Sequence, residues 1–107
     1  MQYYQLFESL KEANAALPIG TTTLIRAGKL AICLAHTEEG FFAVSDYCTH
    51  QKANLHKGQI LSQNRIKCPW HGYSFHLKTG CEASENHCES LETYTLKIDE
   101  TGLWILI

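Results

Sequence analysis

Two sulfurs and two imidazoles dominate the chemistry this sequence can offer. Cys48 and His50 form a C-x-H pair, Cys68 and His71 a C-x-x-H pair, and seventeen residues separate His50 from Cys68. Each segment supplies one thiolate and one imidazole. A mononuclear zinc ion would be satisfied by these four groups in a tetrahedron. A two-iron, two-sulfide cluster would be satisfied equally, with both thiolates on one iron and both imidazoles on the other. The neighbouring residues favour the cluster. Gly72 follows the second histidine and Gly58 closes the segment after the first pair. Glycine allows the close backbone approach that loops folded around inorganic sulfide need, and Pro69 stiffens the second segment.

The rest of the chain must position those groups, and its size limits how. At 107 residues it is expected to form one domain, 1–107. A core of that size buries roughly 65% of the extended-chain surface and leaves no room for a second catalytic domain. Nine Lys and Arg against eleven Asp and Glu give a net charge of −2, with no basic run, so nucleic acid is not expected as a partner. No apolar run approaches the ~18 residues of a membrane span, so no membrane partner is expected. The start, MQYYQLFESLK, has no cationic-then-apolar secretion signal. A cytoplasmic location with reduced thiols follows as the expectation. Five cysteines, an odd count, then read as metal or redox chemistry rather than a disulfide framework.

The pattern along the chain is that of an all-β protein. Tyr3 to Phe7 reads as a strand. Ser9 and Glu12 have capping-box spacing ahead of a short helix that ends before Leu17-Pro18. Thr21 to Arg26, Leu30 to His36 and Phe41 to Ser45 read as strands joined by tight turns, which predicts an antiparallel sandwich or barrel. Gln59 to Leu61 and Arg65 to Lys67, joined by Ser62-Gln63-Asn64, predict a small hairpin that brings the two cysteine–histidine segments face to face. Tyr73 to Leu77 alternates with the period of a half-buried strand. Tyr94, Leu96 and Ile98 alternate again, Cys81 to Ser90 reads as a polar loop, and Leu103 to Ile107 predicts a strand buried on both faces.

CTHQKANLHKG followed by CPWHGYSFHLKTG resembles the signature of Rieske-type [2Fe-2S] proteins, above all the soluble Rieske ferredoxins. The resemblance implies an all-β, Rieske-type antiparallel β-sandwich with a small inserted cluster-binding subdomain, roughly residues 47–76. It implies one [2Fe-2S] cluster, with Cys48 and Cys68 on the inner iron and His50 and His71 on the outer, surface-facing iron. The high-potential branch of the family links the two loops by a disulfide. Its positions correspond here to Ala53 and Trp70, so the resemblance is to the disulfide-free branch. The high-potential branch also places a serine after the glycine, where this chain has Tyr73. With fewer donors to the sulfides, the potential is expected in the lower part of the roughly −150 to +300 mV range. The candidate third loop, 82–91, lacks the proline common in the family.

The function so implied is a soluble one-electron carrier, with a flavin-containing reductase as donor and a terminal oxygenase or similar redox enzyme as acceptor. His50 and His71 would be the electron port, ringed by Gln51, Lys52, Pro69 and Trp70. The alternatives are a small Rieske subunit of a larger reductase, such as assimilatory nitrite reductase, and a zinc or purely structural module. A self-contained Rieske oxygenase would need more chain for its mononuclear iron. Outside the motif, Cys33 reads as core filler. His36, His56, His76 and His87 read as surface or turn residues, and Cys81, His87 and Cys88 as a polar loop with no assigned role.

Overall fold

The computed structural model describes residues 1–47, 53–69, 73–83 and 90–107. Strand β1 (Tyr3–Phe7) is followed by helix α1 (Leu10–Ala16) and three long strands, β2 (Thr21–Ala27), β3 (Leu30–Thr37) and β4 (Gly40–Ser45). A 3₁₀ turn (Leu55–Lys57) leads into β5 (Gln59–Leu61), β6 (Arg65–Lys67) and β7 (Ser74–His76). The chain closes with β8 (Thr93–Tyr94), β9 (Leu96–Asp99) and β10 (Gly102–Leu106). Among the described residues all strand pairings are antiparallel, in three sheets ordered β1-β10-β9, β2-β3-β4-β8 and β5-β6-β7. This bears out the expected all-β fold.

The unbroken apolar run in β3 has a specific cause. Alternate residues of a strand point to opposite faces, and here both faces are covered. Ile32 and Leu34 enter one core with Ala13, Leu17, Phe41, Ala43, Leu103 and Ile105. Cys33 and Ala35 enter another with Val44, Ala53, Leu55, Ile66, Cys68, Phe75, Leu77 and Leu91. The four-stranded sheet is therefore a shared wall. The β1-β10-β9 sheet and α1 pack on one side of it, and the β5-β6-β7 sheet with the 3₁₀ turn on the other. Wholly buried residues such as Ile66 and Phe75 each contribute roughly 1.5–3 kcal/mol of hydrophobic burial.

Local signals account for the elements. Ser9 caps α1, its Oγ accepting from the Glu12 N–H at 3.0 Å. The hairpin at 59–67 forms as expected, Leu61 pairing with Arg65. Its turn places Gln63 and Asn64 at φ of 62° and 56°. Asparagine tolerates that left-handed region, and tertiary contacts secure it. The Asn64 side-chain oxygen accepts from the Thr37 hydroxyl at 2.8 Å, and its backbone oxygen accepts from Leu77 N–H at 3.0 Å. The turn is thereby bound to the end of β3.

Three expectations need correction. The alternation across Tyr94, Leu96 and Ile98 belongs to two strands. β8 pairs with β4, while β9 pairs with β10, so the chain changes sheets at Thr95 and the period does not report it. β10 is buried on one face only. Leu103 and Ile105 are enclosed, whereas Trp104 faces outward beneath the Lys97 ammonium, 5.2 Å from its ring. His36 is no surface residue. It is buried, stacks on Phe41 with ring centroids 3.9 Å apart, and its Nδ1–H donates to the Leu17 carbonyl at 2.6 Å. That bond ties the end of α1 to β3.

Candidate metal centre

Of the four expected ligands, Cys68 lies among the described residues. Cys48, His50 and His71 lie outside them, as do Gln51, Lys52, Trp70, Gly72, His87 and Cys88. Cys68 directly follows β6 and is 1% exposed. Its backbone N–H donates to the Tyr73 carbonyl at 2.6 Å. This bond joins the two ends of the second expected ligand segment, between β6 and β7. Pro69, on the tip side of Cys68, is exposed.

The first segment leaves the four-stranded sheet at Ser45 and returns at the 3₁₀ turn. Tyr47 and Asn54 form an antiparallel bridge across its base. Ala53 and Leu55, on the returning side, pack into the core that holds Cys68. The two segments are thus joined through a common apolar floor. Gly58 lies at the same place. A side chain there would collide with the carbonyl of Lys67, the residue before Cys68. Lys57, Gly58, Gln59, Lys67, Cys68 and Pro69 line one shallow cleft. A buried Cys68 thiol beside β6, with the opposing backbone held in contact by a glycine, suits a compact metal centre.

The other thiols differ sharply. Cys33 is wholly buried, and burial, reinforced by the nearby Asp46 carboxylate, pushes its thiol up to about 12. It stays protonated, which fits core filler and not a thiolate ligand. Cys81 is exposed. Hydrogen bonding from the Thr79 and Ser90 hydroxyls draws its thiol below the ordinary range. The Ser90 Oγ stands 3.7 Å from the sulfur.

Sequence patterning did not reveal Asp46 and His56. Asp46, 1% exposed, ends the apolar strand region just before the first motif. The His56 Nδ1–H donates to its Oδ2 at 2.8 Å. A lone acidic residue beside an apolar strand and two residues before the expected ligand Cys48 was the available signal. His76, by contrast, is exposed, as its strand alternation predicts.

The sequence pattern of the Rieske [2Fe-2S] domain matches residues 10–95. The ferredoxin subunit of 3-phenylpropionate/cinnamic acid dioxygenase from Photorhabdus laumondii is 32% identical over 76 residues, 71% of this chain and 72% of that protein. A chain of the solved oxygenase–ferredoxin complex of carbazole 1,9a-dioxygenase superposes with a TM-score of 0.75 at 28% identity. The match covers 84% of this chain and 92% of that one. A solved protein described as the small subunit of an NADPH nitrite reductase reaches a TM-score of 0.81 across 100% of both chains, at 18% identity. That likeness shows the fold alone. From the motif, the buried Cys68 loop and these matches together, the chain belongs to the Rieske [2Fe-2S] ferredoxin family and is an electron-transfer protein with one Rieske-type [2Fe-2S] cluster.

Proposed function

We propose that Cys48 and Cys68 hold one iron of the cluster and His50 and His71 the other, within a subdomain spanning roughly residues 47–76 of a single domain. The cluster supplies reversible one-electron transfer. Cys68 is buried among Ala53, Leu55 and Ile66 while its neighbour Pro69 is exposed, which supports a cluster with its sulfur ligands inward and its histidine ligands outward. That polarity makes the tip the electron port and the docking face.

The acceptor is a terminal oxygenase and the donor a flavin-containing reductase. The observation that supports the oxygenase acceptor is the 32% identity to a dioxygenase ferredoxin subunit along 71% of the chain, and the donor is the one the resemblance to Rieske ferredoxins implies. Likeness to a nitrite reductase subunit stays at the level of fold. A near-neutral net charge suits a short-lived redox encounter. No helix among the described residues is long and apolar enough to cross a membrane, and a cytoplasmic setting, where thiols stay reduced, is the proposed location.

The test is electron paramagnetic resonance of the reduced protein with iron and sulfide analysis. About two irons per chain and an anisotropic Rieske signal are expected. His71→Cys abolishes that signal even where a cluster persists. A colourless protein, or an unchanged spectrum in His71→Cys, overturns the ligand assignment. For the partners, the purified protein passes electrons from a flavin reductase to a Rieske oxygenase. Isolation only in a tight complex with a larger reductase overturns the free-carrier reading.

A further inference from the structure

We propose that Asp46 and His56 are a positioning pair that sets the first ligand segment, and with it Cys48 and His50, against Cys68. The inference rests on the ligand assignment above.

The geometry is that of a neck. Asp46 is the last residue before the segment's base and His56 stands just after its return. The Asp46 backbone oxygen accepts from Leu55 N–H at 2.6 Å. Its Oδ1 accepts from His56 N–H at 2.8 Å. The His56 ring Nδ1 lies 2.8 Å from Oδ2 and 3.0 Å from Oδ1. One carboxylate thus grips both the backbone and the ring of a single residue, fixing its place and its direction. The Tyr47–Asn54 bridge follows one residue further out.

Both sides of the neck are anchored to the four-stranded sheet. Asp46 N–H donates to the Ala31 carbonyl at 2.9 Å. The Thr22 hydroxyl donates to the His56 carbonyl at 2.6 Å. Inward, Leu55 and Ala53 pack in the core of Cys68. Cys48 is two residues beyond Asp46 in the chain, so the neck is the described anchor nearest in sequence to the first proposed ligand.

Chemistry argues against a merely space-filling role. A buried carboxylate is costly and persists only when its oxygens are satisfied. An apolar residue would serve packing better. The structure retains a carboxylate where it can take two donors from one residue of the returning segment. Partners of this kind, one step behind the ligands, orient metal sites in general.

The test compares holoprotein variants by three readouts: g values of the reduced cluster, midpoint potential, and the rate of iron loss to a chelator. Asp46→Ala and His56→Ala are expected to shift the g values and potential and to release iron about ten-fold faster. Asp46→Asn keeps an acceptor for His56 N–H and can donate to the ring in its other tautomer, so it restores near wild-type g values. His36→Ala is the control, because it removes a buried contact in the Leu34 core, on the face of β3 opposite the Cys68 core. It lowers the melting temperature and leaves all three cluster readouts unchanged. His56 is partly exposed, which keeps one variant available should Asp46→Ala fail to fold. If His56→Ala behaves as the His36→Ala control does, the positioning role is overturned. A wild-type protein without a Rieske signal would instead overturn the ligand assignment.

Discussion

Gly58 and Lys67 approach backbone to backbone at the mouth of the β5–β6 hairpin, so closely that a methyl group on the glycine would strike the Lys67 carbonyl. Gly58 has φ of −82° and ψ of −161°, a conformation any residue adopts. Space, and not backbone freedom, requires glycine here. Gly58→Ala should therefore force β5 and β6 apart beside Cys68. The expected cost is about 1–3 kcal/mol of stability, with a displaced cluster spectrum. Denaturant unfolding and paramagnetic resonance check it. An unchanged spectrum and midpoint would refute the close-approach account.

Alkaline pH should destabilise the fold through Cys33. Its thiol is raised from 9.0 to about 12 in the folded protein. Between those values the folded chain keeps the proton and the unfolded chain has lost it. Stability is thus fully present below pH 9 and falls as pH rises, by about 1.4 kcal/mol per unit from this group alone. Cys33→Ala removes that component. The difference in unfolding free energy between the two proteins should narrow or reverse as pH rises from 9.0 toward about 12. A constant difference would show that Cys33 is not held protonated.

Cys81 should behave oppositely. It is exposed, and hydroxyl contacts favour its thiolate. The native protein should be alkylated at Cys81 at neutral pH while Cys33 stays unlabelled, and Ser90→Ala should slow the reaction at Cys81. Peptide mass mapping after timed iodoacetamide exposure reads both. Equal labelling of the two sites would contradict the burial contrast.

Removal of the cluster should loosen one side of the molecule more than the other. The β5-β6-β7 sheet, the 3₁₀ turn and Cys68 share one core, next to the proposed ligand segments. On the other face of β3, Leu34 packs with Leu103 and Ile105 instead. In the iron-free protein, amides of residues 59–76 should exchange faster, while β2, β3 and β10 keep most of their protection. Hydrogen exchange with mass spectrometry measures this, and uniform loss of protection would show one cooperative unit.

Much of this molecule follows from short-range pattern. The C-x-H and C-x-x-H pairs announce a metal centre without any fold, and the glycines and proline beside them favour a cluster over a zinc ion. The hairpin at 59–67, the Ser9 cap and the β2–β3–β4 turns follow equally from neighbouring residues. Each depends on interactions within a few positions of the chain. Cys33 as an apolar filler follows in the same way, since an unbroken apolar strand has no wet face.

Only tertiary structure decided the rest, because those outcomes depend on which distant groups meet. Thr95 separates two strands since β4 and β10 claim opposite sides of it. His36 is buried because Leu17, nineteen residues earlier, offers a carbonyl and Phe41 a ring. Asp46 and His56 become a pair because the chain between them turns back on itself. Period and propensity describe one segment at a time. A buried hydrogen bond belongs to two segments, and its worth is set only when both are desolvated together.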